Sequence, residues 1–196
     1  MATFGNNATP TATLNTINNY QYASGPFTMT ENGTLTSVTF NDLESLGGFS
    51  TVACLWADNG GVPGALLATS TYQAVLTGPY TFPLSYALVS GQSYWFGFLG
   101  YSLGLQHLAG GVVTVADTSH MRRQANSEAP VDFTGSQLLS GTNELCVYGT
   151  YTPAAPSGKP GIRGIGSVLG AQGGSPRIVV ASPGGLMDFL KRRRAA

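Results

Sequence analysis

The amino-acid sequence predicts an all-β fold, an antiparallel β-sandwich, followed by an extended basic C-terminal arm. Short runs rich in Val, Thr, Tyr, Phe and Leu alternate with clusters of Gly, Asn, Pro and Asp, as strands alternate with turns. Before Pro153 no long stretch has a convincing helical period. Parallel strands would need helical crossovers, so the strands are expected to pair antiparallel.

The first predicted strands follow from alternation and from turn residues. Residues 34–40 alternate between polar and apolar with one shift of phase, which a β-bulge would absorb. Residues 49–57 form a strand whose one face carries Val52, Cys54 and Trp56. Residues 58–64, DNGGVPG, form a dense turn, because Gly allows a positive φ and Pro restricts its own.

Later segments extend the same pattern. Further strands are predicted at 65–69, 72–76, 80–84, 93–98, 105–115 and 144–151. The aromatic run 93–98 is expected to be central, with Tyr94, Phe96 and Phe98 facing one way and Trp95 the other. Residues 117–140 are predicted to form a long irregular connection, where binding functions often lie. Eight or nine strands in this order favour a jelly-roll form of the sandwich.

Charge divides the chain into two parts. Residues 1–152, the predicted sandwich, hold eight acidic and two basic residues, a balance of 2 − 8 = −6. Residues 153–196, a Pro- and Gly-rich linker and an arm, hold seven basic and one acidic residue, a balance of 7 − 1 = +6. Clustered Lys and Arg favour acidic partners, so the arm is expected to contact one.

Two short segments of the arm are predicted to bind a partner. Residues 178–180 are all β-branched and are suited to adding a strand to a partner's sheet edge. Residues 186–194 space their apolar side chains at i, i+3 and i+4 before a basic end, but this segment is too short to be a stable helix alone. The predicted partner-binding residues are Ile178, Val179, Val180, Leu186, Phe189, Leu190, Lys191, Arg192, Arg193 and Arg194.

One part of the sequence resembles a known module. Residues 52–70, VACLWADNGGVPGALLATS, followed by LVSG at 88–91 and by Tyr94 and Trp95, resemble a jelly-roll module of bacterial surface proteins and tailed-phage structural proteins. The resemblance covers roughly residues 34–100 and implies the fold. Modules of this kind serve as adhesion domains, as glycan-binding accessories and as virion parts, so the resemblance leaves the function open.

The leading expectation is a structural protein of a tailed-phage virion. Residues 1–7 lack the basic and apolar regions of a signal peptide, so synthesis in the host cytoplasm and location in the virion are expected. The protein would be a capsid decoration or head-associated protein, or else a tail component, anchored by its arm to capsid or tail subunits as a homo-oligomer. No membrane contact is expected, because no apolar run is long enough to span a bilayer.

Two alternative functions remain at this stage, and a third possibility is that the arm is only a solvated tail whose charges keep it soluble. The chain is alternatively a carbohydrate-binding or host-adhesion module, including a tail fibre or tail tip component. Its candidate glycan-stacking residues are Trp56, Tyr80, Trp95 and Tyr101, although large aromatic residues in strands commonly pack in a sandwich core. Nucleic-acid binding by the arm is the other alternative, and four consecutive basic residues are its support.

Catalysis, cofactors and metals are not predicted. His107 and His120 have no recognisable partners, and neither a nucleophile elbow nor a phosphate-binding glycine motif occurs. Cys54 and Cys146 lie in apolar runs and are expected to be buried free thiols rather than a disulfide. Asp58 could contact calcium from its turn, but a structural role is the favoured interpretation.

Overall fold

The computed structural model describes residues 1–17, 20–101, 107–114, 121–125, 129–134, 137–138 and 143–155. Over these ranges the chain is all-β, and two antiparallel sheets pack against each other as a sandwich, which confirms the predicted fold class. The described part contains no helix that could cross a membrane. Its strands are β1 (Ala2–Gly5), β2 (Ala12–Ile17), β3 (Tyr20–Thr28), β4 (Gly33–Asp58), β5 (Pro63–Thr69), β6 (Gln73–Leu88), β7 (Ser93–Tyr101), β8 (His107–Thr114), β9 (Met121–Ala125), β10 (Gln137–Leu138), β11 (Asn143–Leu145) and β12 (Val147–Pro153).

Strand β4 takes part in both sheets. Over its first part it pairs with β12 and β6, and over its last part it pairs with β7 and β5. It runs without a break for 26 residues, so the prediction of two separate strands at 34–40 and 49–57 is wrong. The polar and Gly-rich residues between them predict a loop, but Leu43 pairs with Gly78 of β6 and Gly110 of β8. Tertiary pairing therefore overrides local propensity here.

The phase shift in residues 34–40 is a β-bulge, as predicted. The register of β4 shifts between Leu35 and Ser37 against β6, and the same place faces a shift between Thr150 and Tyr151 of β12. Against β12 the additional residue is Thr36, whose hydroxyl donates to the carbonyl oxygen of Thr150 at 3.0 Å. The bulge brings Leu35 and Val38, three residues apart, to the same buried face.

The main core lies between the two sheets and depends on alternation in β7. Tyr94, Phe96 and Phe98 point into this core, whereas Trp95 belongs to a second cluster, so the predicted faces are confirmed. Phe98 makes an edge-to-face contact with Phe40 of β4, with ring centroids 5.5 Å apart. Contacts of this kind add to the stabilisation that burial of the rings provides.

The second sheet contains the last part of β4 together with β5 and β7. It extends further through strands that the sequence did not indicate. β3 lies between β7 and β9, with Gln21 opposite both Leu99 and Gln124. β9 and β10 fall within residues 117–140, so the prediction of an irregular connection is wrong for both. β9 reads MRRQA and lacks apolar alternation, because a strand near a sheet edge does not have to bury one face.

One long edge is protected by proline. Among the described strands β6 pairs with β4 alone, so its other side is an edge along the sandwich. Pro79 and Pro83 lie in this strand, and each lacks the N–H group that an added strand would need. This edge is therefore a poor place for a further strand to pair.

The chain divides into two compact units, Met1–Pro156 and Ser157–Ala196. β12 continues to Pro153, and the backbone N–H of Ala154 donates to the carbonyl oxygen of Asn32 at 2.8 Å. Backbone pairing of the first unit therefore extends two residues beyond the predicted end of the sandwich at Thr152. We call residues 1–156 the body and residues 157–196 the arm, which lies outside the described residues.

Gly97 has no side chain, and this allows the backbones of β7 and β3 to lie close together. A Cβ atom at this position would collide with the carbonyl group of Tyr22 and lie 2.8 Å from the Cα of Ala23. We expect Gly97→Ala to lower the free energy of unfolding by about 3 kcal/mol or more, because two paired backbones would have to separate. Urea denaturation measures this loss.

The control is Gly60→Ala, because Gly60 is exposed in the turn that follows β4. Nothing lies within 4 Å of a Cβ atom at Gly60, and its φ of 68° makes the expected loss only about 1 kcal/mol. Equal losses for the two variants would contradict the assigned approach of β7 and β3.

Candidate functional site

The two tryptophans lie side by side on the outer face of the second sheet. Trp56 of β4 and Trp95 of β7 are directly opposite each other in register, and both are fully buried. They belong to a second apolar cluster, separate from the core between the sheets. The other members of this cluster are Ala23, Val52, Cys54, Leu99 and Phe133, with Leu66 packed against it. Around this cluster the second sheet is thus buried on both of its faces.

A short irregular segment, residues 129–134, covers this outer cluster; we call it the strap. Phe133 of the strap meets Trp56 edge to face, with ring centroids 5.1 Å apart and planes at 85°. The indole Nε1 of Trp56 donates to the carbonyl oxygen of Val131 at 3.0 Å. The strap therefore supplies both an apolar cover and the hydrogen-bond acceptor that a buried indole needs.

Two glutamines hold the strap against the sheet. The buried side-chain amide of Gln21 donates to the carbonyl oxygen of Val131 at 3.0 Å and accepts from the N–H of Val131 at 3.2 Å. Its register partner Gln124 donates to the carbonyl oxygen of Asp132 at 3.0 Å and accepts from the N–H of Thr134 at 2.8 Å. Each side-chain amide thus donates to and accepts from the backbone of the strap, as the backbone of an adjacent strand would.

The strap also covers the edge of β5. The N–H of Phe133 donates to the carbonyl oxygen of Gly64 at 3.0 Å, and the N–H of Leu66 donates to Oδ1 of Asp132 at 2.7 Å. Two backbone groups of this edge strand are thus already bonded. The strap therefore reduces the capacity of β5 to pair with another chain.

Trp95 is bonded to the turn that follows β4. Its indole Nε1 donates to Oδ1 of Asp58 at 2.8 Å, and the same carboxylate accepts from the N–H of Gly61 at 3.1 Å. Gly60 and Gly61 have φ values of 68° and 84°, which L residues rarely adopt. Asp58 thus has the structural role that was favoured for it over calcium binding, and within the described ranges no cluster of His, Cys, Asp and Glu is arranged to hold a metal ion.

These contacts correct part of the predicted glycan site. Trp56 and Trp95 offer no ring face to a sugar, because both side chains are fully buried and both indole N–H groups are bonded within the protein. Tyr80 is half-buried and packs against the main core. Tyr101 pairs with Ser50 through its backbone, and its side chain lies outside the described part of the structure. The structure therefore does not gather the four aromatic residues into one binding surface.

The remaining candidates divide between described and undescribed parts of the chain. His107 begins β8, opposite Ile17 of β2, whereas His120 lies outside the described residues. The partner-binding residues predicted for the arm also lie outside them: Ile178, Val179, Val180, Leu186, Phe189, Leu190, Lys191, Arg192, Arg193 and Arg194. Their predicted roles stay predictions.

Both cysteines are buried and free, as the sequence predicts. Burial raises the pKa of the Cys54 thiol, which lies in the outer cluster. Burial, together with the nearby carboxylates of Glu144 and Asp42, raises the pKa of Cys146 to about 11. Protonated, enclosed thiols are poor nucleophiles, so neither cysteine is a candidate reactive group.

The strap is the feature that sequence reasoning missed. Its only local signal is the alternation of Val131 and Phe133 with polar residues inside a long connection. The partners lie far away in sequence, since Gln21 and Val131 are 110 positions apart. A local pattern contains no information about such a contact.

Comparisons of the chain with protein-family models, with curated proteins and with solved structures give no match. The resemblance to jelly-roll modules therefore stays a prediction. Any function has to be argued from the residues and their arrangement.

Loss of the Gln21 amide is expected to release the strap. Gln21→Ala removes two hydrogen bonds and leaves the backbone groups of Val131 with fewer partners, so we expect a loss of about 2–3 kcal/mol in the free energy of unfolding. Trp56 contacts the strap directly, and Trp95, the other tryptophan of the chain, is its register partner in the same cluster. Their fluorescence should shift to the red and become more accessible to acrylamide.

Gln92→Ala is the matched control, because the Gln92 side chain is exposed in the turn before β7. It should leave stability within about 0.5 kcal/mol and the emission unchanged. Unchanged emission in Gln21→Ala would show that this amide does not hold the strap.

Cys146 should make the protein less stable at high pH. Its pKa is raised from 9.0 to about 11, so the folded state retains a proton that the unfolded state loses. The contribution is complete below pH 9 and disappears as pH rises towards 11, with a total of at most about 3 kcal/mol. Cys146→Ala should show a smaller decline than the native chain in denaturation measured from pH 8 to 11, and parallel declines would exclude this coupling.

Proposed function

We propose that the chain is a structural protein of a tailed-phage virion, a capsid decoration or head-associated protein held in place by its arm. The observation that carries this proposal is the separation of charge between the body and the arm. The acidic body has a formal balance of −6 and the linker and arm a balance of +6, although the whole chain is neutral. Such a division suits a body that stays soluble and an arm that seeks an acidic surface.

The construction of the body supports a scaffold role. At the candidate site, Asp58 and both indoles bind other parts of the protein, and Gln21 and Gln124 hold the strap. These groups stabilise the outer face of a sheet and are not presented to a ligand. A sandwich closed in this way is a rigid support on which an arm can be carried.

The arm supplies the attachment in this proposal. Ile178, Val179 and Val180 add a short strand to a neighbouring subunit, and Leu186, Phe189 and Leu190 dock as one turn of helix. Lys191, Arg192, Arg193 and Arg194 then lie on an acidic capsid or tail surface. A segment that becomes ordered on contact wraps a large area, and repeated copies on a particle add avidity.

The adhesion alternative has less support than the virion proposal. Its main aromatic candidates, Trp56 and Trp95, are fully buried in the outer cluster, and this removes the stacking surface that motivated it. It is kept as an outcome of the experiment that follows.

Co-sedimentation with phage particles assembled without this protein tests the proposal. We expect the full chain to bind and a chain ending at Ser157 to stay in solution, although circular dichroism shows its sandwich intact, since β12 ends at Pro153. Replacement of Lys191, Arg192, Arg193 and Arg194 by Gln should weaken binding about tenfold or more at low salt and less at moderate salt.

A chain with Lys159→Gln and Arg163→Gln is the matched control, because these basic residues precede the predicted contacts. It should bind nearly as well as the native chain. Equal binding by the full and the shortened chain, or by neither, would remove the arm from the mechanism and favour adhesion by the body. Retention on DNA that is lost with the arm would indicate nucleic acid as the partner.

A further inference from the structure

The outer face of the first sheet has no charged side chain over the part where β4 pairs with β12. This sheet is formed by β1, β12, the first part of β4 and β6. Residues 1–5, 33–41, 77–88 and 147–153 contain no Asp, Glu, Lys or Arg. The outward positions carry mainly hydroxyl groups. We call this surface the hydroxyl face; its principal residues are Thr34, Thr81, Ser85, Tyr148 and Thr150, whereas Thr39 on the same side is buried.

The pairing register places these hydroxyl groups in rows across the sheet. Tyr148, Thr39 and Thr81 are register partners on three adjacent strands. In the next row, Thr3 of β1 pairs with Thr150, which in turn pairs with Ser37. The inward neighbours of these residues, such as Val38 and Phe82, are fully buried in the main core. The hydroxyl face is thus the opposite side of a well-packed sheet.

Several of these hydroxyl groups are already hydrogen-bonded within the sheet. The hydroxyls of Thr39 and Thr81 bond to each other at 2.9 Å, and Thr36 donates to the carbonyl oxygen of Thr150 at 3.0 Å. Groups bonded in this way lose less hydration when they are covered than free groups do. A dry protein contact therefore suits this face better than a sugar, which needs free donors and acceptors.

Charge determines where two copies of the chain can meet. The body has a formal balance of −6, so two bodies repel each other wherever their acidic groups meet. Along β4, the carboxylates nearest to the hydroxyl face are Glu31 and Asp42, just before and just after its paired residues. Between them two copies can approach without bringing like charges together.

We propose that the hydroxyl face binds the same face of a second copy of the chain. Four strands about 4.8 Å apart and about 24 Å long give a patch of roughly 450 Å² per copy. This is smaller than a standard interface of about 800 Å² per partner, so the contact is weak in solution and matters where copies are concentrated. It is a property of the body and does not depend on the arm or on a virion role.

Sedimentation equilibrium of the full chain at concentrations up to about 1 mM tests this contact. We expect a reversible dimer with a dissociation constant of about 0.1–1 mM. Thr81→Glu and Ser85→Glu should each weaken it at least tenfold, because each places a carboxylate on both sides of the contact. Ser85 is exposed, so its replacement should preserve the fold even if Thr81→Glu, which removes the bond to Thr39, does not.

Thr71→Glu is the matched control, since Thr71 is exposed in the connection between β5 and β6 and adds the same charge elsewhere. It should dimerise like the native chain. A bismaleimide should link Ser85→Cys into dimers and leave Thr71→Cys monomeric, because Cys54 and Cys146 are buried.

Absence of a dimer, or equal weakening by all three charged variants, would overturn the proposal. Binding of a neutral polysaccharide that Ser85→Glu abolishes, without a dimer, would assign the face to a glycan instead. Hydrogen exchange of the backbone amides on this face would identify a third occupant. If these amides are protected in the full chain but not in a chain ending at Ser157, the face binds the arm.

Discussion

The structure depends on the pairing of one strand, β4, with neighbours in both sheets. Its first part lies between β12 and β6, and its last part lies beside β7 and β5. Because one backbone is common to both sheets, the inner face of each is set by the same alternation. The bulge at Thr36 corrects that alternation by one residue, so Leu35 and Val38 both reach the main core.

A second requirement follows from the aromatic residues of β4 and β7. Alternation sends Phe96 and Phe98 inwards and therefore sends Trp95 outwards, opposite Trp56. Two indoles on an outer face need an apolar cover and acceptors for their N–H groups. The strap meets the first need and part of the second, and the carboxylate of Asp58 accepts from the other indole. Residues that could have stacked on a sugar are thereby part of the architecture.

The polar surfaces of the body differ in what they can contact. The hydroxyl face is neutral and partly bonded within itself, whereas exposed carboxylates such as those of Glu31 and Asp132 lie outside it. A neutral face permits contact between like-charged copies, and a basic arm permits contact with something acidic. The two proposals rest on different parts of the chain and are independent.

The sequence by itself determined the strand character of the body, the opposite faces of Trp95 and Phe96, the bulge near Thr36 and the buried free thiols. These features follow from the local order of apolar, polar and turn residues, which specifies which side of a strand is apolar. Only the tertiary structure decided that β4 is continuous, that residues 121–125 form a strand and that the strap covers Trp56. Each of these depends on pairing between distant segments, and local periodicity does not specify which segment covers an apolar face.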